Sequence, residues 1–200
     1  MSTEVEAKYL LPDVATMQAI LKVRHLGEYS VWPQHTVQVV DQYLDTLDRS
    51  LLRQGWACRL RHRGEAWIVG LKNTQKVQGA IVSRGELEMP LPVGDANPCL
   101  WPEGEIRALV LRLIDGKALV PLVKFKQERH EATLLKGECP IAQLSLDIVD
   151  IAAGGKQHRR YMLECELNPD GDSTDLERID ALLMHTYPLI PEPRSKLQLA

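Results

Sequence analysis

No apolar run in these 200 residues approaches the roughly 20 needed to cross a bilayer, which excludes a membrane-spanning helix. The opening Met1-Ser-Thr-Glu-Val-Glu has neither the basic nor the apolar region of a secretory signal. The four cysteines, Cys58, Cys99, Cys139 and Cys165, include no CxxC pair and no Cys/His set at zinc-finger spacing. Positive charge is also in short supply. With 24 Lys and Arg against 27 Asp and Glu, the formal net charge is -3, so the chain has no bulk attraction to nucleic acid or to an anionic membrane surface. These absences point to a cytoplasmic protein with reduced thiols. If it binds a highly charged anion, its cations must be concentrated locally.

Hydrophobic residues make up 44% and charged residues 26%, ordinary for a globular protein, and the length suits one domain over residues 1–200. There is no internal repeat. Helical periodicity predicts three helices, over Val14–Leu26, Glu105–Ile114 and Asp175–Tyr187. The last follows an apparent capping box, with Thr174 as N-cap and Glu177 three residues on. Nine segments read as strands: Thr3–Leu10, Thr36–Asp45, Trp56–Arg63, Ala66–Asn73, Val82–Leu91, Val120–Gln127, Arg129–Leu135, Leu144–Ile151 and Gln157–Leu167. Many strands with few helices suggest an α+β chain: an antiparallel barrel with helices packed outside.

The strands alternate in an unusual way. Glu4, Glu6 and Lys8 share one face of the first, and Val5, Ala7 and Tyr9 the other. Arg59 and Arg61 oppose Cys58 and Leu60. Arg84, Glu86 and Glu88 oppose Leu87 and Met89. Lys124 and Lys126 flank Phe125, and Glu164 and Glu166 flank Cys165. One such strand is a half-buried strand with a wet face. Five of them, with acids and bases sorted by strand, suggest that the apolar faces meet the helices and the charged faces line a barrel interior. Like charges at that density need ligands: divalent cations for the glutamates, phosphate oxygens for the Arg and Lys groups.

The ordered set resembles the CYTH superfamily, the triphosphate tunnel metalloenzymes. The resemblance begins with the ExExK signature at Glu4, Glu6 and Lys8. It runs through Tyr43-Leu-Asp-Thr, Arg59-Leu-Arg61, Lys72 in Gly70-Leu-Lys and Arg84-Gly-Glu86-Leu-Glu88. It continues with the basic group ending at Arg129, with Asp147, and with Glu164-Cys-Glu166 and Ser195-Lys196. It implies an eight-stranded antiparallel tunnel, so two of the nine segments must merge or one is not a strand. It also implies Mg2+ or Mn2+ as cofactor and a triphosphate as the small-molecule substrate.

On this reading Glu4, Glu6, Asp147, Glu164 and Glu166 are the metal candidates, since hard cations favour carboxylate oxygens. Lys8, Arg59, Arg61, Lys72, Arg84, Lys124, Lys126, Arg129 and Lys196 are the candidates for gripping phosphate. Glu4, Glu6 and Lys8 form the catalytic group. Glu86 and Glu88 could bind metal or hold the bases by ion pairing. The six histidines are scattered without ligand spacing, and the four tryptophans read as packing residues. Tyr43 and Asp45 read as structural. The leading function is hydrolysis of inorganic triphosphate. The alternatives are a class IV-type adenylate cyclase, a thiamine or nucleoside triphosphatase, and a non-catalytic polyphosphate-binding module, in a monomer or homodimer without nucleic-acid or membrane partners.

Overall fold

A computed structural model describes residues 2–73, 76–153 and 156–200, with the side chains of Gln34, Lys76, Ala152, Ala153, Lys156 and Gln157 left out. Its strands are β1 (Ser2–Leu11), β2 (His25–Leu26), β3 (Tyr29–Asp45), β4 (Trp56–Arg63), β5 (Ala66–Asn73), β6 (Lys76–Gln78), β7 (Ile81–Leu91), β8 (Val120–Lys136), β9 (Cys139–Ala153), β10 (Lys156–Leu167) and β11 (Ile190–Pro191). Eight of them close a barrel in the order β1-β10-β9-β8-β3-β4-β5-β7, with β7 pairing back to β1. All pairings are antiparallel. The short β2, β6 and β11 add to β3, β7 and β1.

The nine predicted segments become eight because Val120–Gln127 and Arg129–Leu135 are one strand, β8. The predicted Thr36–Asp45 is the second half of β3, which starts at Tyr29 and passes a register irregularity between Pro33 and Thr36. A proline and a bulge there interrupt the alternation that marks a strand.

Among the described residues four α-helices lie outside: α1 (Val14–Leu21), α2 (Ser50–Arg53), α3 (Glu105–Ile114) and α4 (Ser173–Thr186). The first stops well short of the predicted Leu26, since the chain turns at Lys22 and enters β2. The N-cap of α4 is Asp172, not Thr174: its carboxylate accepts from the Asp175 N–H at 2.8 Å. One turn of α2 is too short to show a period. It is held by Asp45, which is fully buried and accepts from the backbone N–H groups of Thr46, Leu51 and Leu52. That is the structural role expected of Asp45.

The helices cover two apolar patches on the outer barrel wall. One joins Met17, Ile20, Leu176, Ile179 and Leu183 to Ala7, Tyr9, Leu163 and Cys165. The other joins Ile106, Val110 and Leu113 to Cys58, Leu60, Leu71 and Leu87. Trp101 is buried in this second patch, and Trp56 and Trp67 pack against it. Trp32, by contrast, is 65% exposed and has no packing role. A third apolar cluster, of Tyr43, Phe125, Val149, Ile151 and Met162, fills part of the barrel interior, with Leu197 and Leu199 packed on it. Among the described residues no helix is long and apolar enough to cross a membrane.

Candidate functional site

Because the outward faces meet the helices, the opposite faces of the same strands enclose a cavity of about 860 Å³. Its wall carries Glu4, Glu6, Lys8, Arg59, Arg61, Lys72, Arg84, Glu86, Glu88, Arg129, Glu164, Glu166 and Lys196. Cross-strand register decides which charges meet. Glu4 lies opposite Arg84, Glu6 opposite Glu166, Lys8 opposite Glu164, Lys72 opposite Glu86, Asp41 opposite Arg61 and Arg129 opposite Asp147.

One group gathers on β1, β5, β7 and β10. Glu4 accepts from Lys72 Nζ at 2.6 Å and from Arg84 Nε at 2.7 Å. Arg84 also bonds Glu6 through Nη2, and Lys72 approaches Glu86 at 3.1 Å. Burial acts to raise the Glu4 carboxyl, but Lys72 and Arg84 outweigh it and bring it down to about 2. Glu6 goes the other way. Burial dominates, Glu164 and Glu4 add to it, and the attractions of Lys8 and Arg84 do not compensate. Glu86 is raised by burial in the same way. Glu166 is pushed up to about 7 by its protein surroundings and by Glu4 and Glu6, although its side chain stays accessible. Lys8 is lowered by burial; its Nζ donates to the Arg194 carbonyl at 3.1 Å.

A second group sits on β8, β9 and β10. Arg129 grips Asp147 with both arms, at 2.7 and 2.6 Å, and reaches Glu164 at 2.9 Å. Lys196, from the C-terminal 3-10 turn Lys196–Leu199, bonds Asp147 at 2.8 Å and Glu164 at 3.1 Å. Despite burial, these cations hold both carboxyls below their usual range. A third group lies on β3, β4 and β8, where Asp41 accepts the Arg61 fork at 2.7 and 2.9 Å and Gln127 Nε2 at 2.8 Å. On the same wall Arg59 bonds Glu88 at 2.9 Å.

The structure thus brings together every predicted site residue except two. Lys124 and Lys126 are exposed on the outside of β8, where the inward positions are Phe125, Gln127, Arg129 and Glu131. They are corrected to surface residues. The physical reason is the continuity of β8: with no break, Lys124 and Lys126 have the opposite phase from Arg129. Sequence reasoning missed Asp41, Gln127 and Glu131, which are 0%, 1% and 8% exposed. The first two could have been found by extending the alternation from Tyr43 and Arg129 by two residues. Among the described residues, no three His, Cys, Asp or Glu side chains stand as a formed metal cage.

A model of the CYTH domain family matches residues 2–185. Among solved structures, the chain is similar to a Hippeastrum putative adenylyl cyclase, HpAC1, described as revealing a dominant triphosphatase activity. The two are 22% identical over 98% of this chain and 94% of that one, with a TM-score of 0.75. A putative adenylate cyclase (bh2851) from Bacillus halodurans is 19% identical over 100% and 98%, with a TM-score of 0.68. The Mimivirus capping enzyme triphosphatase is 13% identical over 91% and 89%, with a TM-score of 0.53. At these identities the likeness is one of fold. No curated protein matches the sequence.

Proposed function

This chain belongs to the CYTH domain family, and on that premise we propose that it hydrolyses inorganic triphosphate to pyrophosphate and phosphate, with Mg2+ or Mn2+, inside its barrel. One observation carries the reading. Seven cationic side chains, Lys8, Arg59, Arg61, Lys72, Arg84, Arg129 and Lys196, face a single cavity from six different segments of the chain. A ring of cations around an elongated space matches an extended polyanion better than a single phosphate.

Glu4, Glu6 and Glu166 fit a divalent cation by donor chemistry. They are carboxylates crowded at one place, and Glu4 and Glu6 help hold Glu166 near neutrality, a pressure that a hard cation relieves. Asp147 and Glu164 complete the carboxylate set and would have to exchange Arg129 and Lys196 for metal. A bound cation would neutralise phosphoryl charge and lower the pKa of water. The chain's own groups do the rest. Arg84 bridges Glu4 and Glu6, so a phosphate that draws Arg84 and Lys72 away frees both carboxylates as it enters. Arg59 and Arg61 offer planar forks for phosphate oxygens, and the low exposure of the wall strengthens each contact.

The test is release of phosphate from tripolyphosphate, ATP and pyrophosphate with each metal. The expected order puts tripolyphosphate first, because pyrophosphate leaves part of the cationic wall unpaired. Equal kcat/KM for ATP would overturn the substrate, and formation of cyclic AMP would move the chain to the cyclase reading.

A further inference from the structure

We propose that Asp41 and Gln127 are positioning residues that preset Arg61 as an anion clamp, so that triphosphate is first seized on the β3–β4–β8 wall. The inference rests on the functional reading above. In the other two groups Lys72, Arg84, Arg129 and Lys196 each bind at least one carboxylate that lines the cavity. Lys72 and Arg84 are bound to Glu4 and Glu6, and Arg129 and Lys196 to Asp147 and Glu164. A ligand must break those pairs before it can use them. Arg61 differs. Its only partner among the described residues is Asp41, which is 0% exposed and does not line the cavity. The fork binds Asp41 through Nε and Nη2, so Nη1 keeps its donors while the guanidinium plane is fixed from behind.

Two further details support a clamp over a plain ion pair. Arg59 is bonded to Glu88 and also feels the Asp41 charge, so the same buried acid favours a second guanidinium on this wall. Arg59 Nε is itself buried without a hydrogen-bond partner, a donor left over in the wall. Gln127 spends its Nε2 on Asp41 Oδ2, while its Oε1 stays buried with no partner. An unpaired buried acceptor is unfavourable for the fold. Its retention follows if the side chain is there to hold Asp41 in place. Preorganised donors lose little freedom when the anion arrives.

The experiment measures tripolyphosphate binding to the full chain by calorimetry without metal, so that no turnover intervenes. The proteins are wild type, Asp41→Asn, Arg61→Ala, the double variant and Gln127→Leu. Asp41→Asn keeps the shape and an acceptor but loses the charge, and is expected to weaken Kd by about tenfold. In the Arg61→Ala background the same change should alter Kd by less than about twofold, because the group it positions is gone. An acid needed only for folding would lower Tm and show no such coupling. Gln127→Leu should weaken Kd by about threefold with Tm held or raised, since it removes the orphan acceptor. Equal Kd for wild type and Asp41→Asn, or an equal loss with and without Arg61, overturns the clamp while leaving the functional reading intact. Absence of tripolyphosphate binding in wild type overturns both. If Asp41→Asn does not fold, Gln127→Leu alone and with Arg61→Ala decides, and an unchanged Kd for it then refutes the proposal.

Discussion

The two acid-rich groups of the cavity share residue types and differ in balance. On β8–β10, Asp147 and Glu164 meet Arg129 and Lys196, two anions against two cations, and both carboxyls fall below their usual range despite burial. On β1, β7 and β10, Glu4 is satisfied by Lys72 and Arg84, but Glu6, Glu86 and Glu166 are all pushed up. The first group is content without a ligand and ties the C-terminal turn onto the barrel. The second carries more negative charge than its cations neutralise. The difference teaches that a ring of buried charge is not uniform: part of it also fastens the C-terminal turn, and part holds more acid than base.

The sharpest way to break this comparison is to remove the two β1 acids of the second group. Glu4→Gln with Glu6→Gln should lower kcat for tripolyphosphate by about 10³-fold with the fold kept, since metal assistance is worth several kcal/mol. Turnover near wild type in that double variant would end the metal assignment. Next is the fastening. Lys196→Ala leaves buried Asp147 and Glu164 short of one cation, and should cost about 3 kcal/mol, or roughly 6–12 °C in Tm. A melt unchanged from wild type would mean that the C-terminal turn is not held by this pair.

Arg59→Ala and Arg61→Ala should each weaken tripolyphosphate binding by about 1.5–3 kcal/mol, readable in KM or by calorimetry. Unchanged values for both would place the ligand elsewhere. The smallest effect is a pH effect at Glu166. Its folded pKa, about 7, lies above the ordinary carboxylate value, so the folded state binds the proton more tightly. Stability from this group is therefore fully present below the ordinary value and lost as pH rises through 7. In metal-free protein, Glu166→Gln should raise Tm by about 1–3 °C at pH 8 and leave it unchanged near pH 4. A loss of stability at pH 8 would show that Glu166 is paired after all.

Much of this was legible in residue order, because strand alternation maps directly onto inside and outside. Glu4, Glu6, Lys8, Arg59, Arg61, Arg84 and Glu164 all face the cavity as their spacing implies. Alternation gave the wrong side only where its phase was lost. Lys124 and Lys126 were grouped with Arg129 across a supposed break that β8 does not have. It was also silent about neighbours in space. Nothing in the order of residues says that Lys196 folds back to Asp147, 49 positions earlier. Nor does it say that Tyr43, Phe125 and Met162 turn part of the same interior into an apolar cluster. Asp41 and Gln127 escaped notice because neither belongs to a like-charged i, i+2 pair: Asp41 alternates with Val39 and Tyr43, and Gln127 is a neutral residue between Lys126 and Glu128.

The closure of the barrel by β1 also bears on how the protein is made. Ser2–Leu11 carries Glu4, Glu6 and Lys8, and among the barrel's strands it leaves the ribosome first. Its partners are residues 81–86 on β7 and 161–166 on β10. Until residue 166 has emerged, these three charged side chains have no barrel to face, and their apolar neighbours Ala7 and Tyr9 lack the α4 residues that cover them. Pairings this distant in sequence form slowly, because the loop must close before the contacts reward it. Of the barrel's strands, the one at the heart of the site is thus the first to be synthesised, and it cannot be seated on both sides until β10 has followed it.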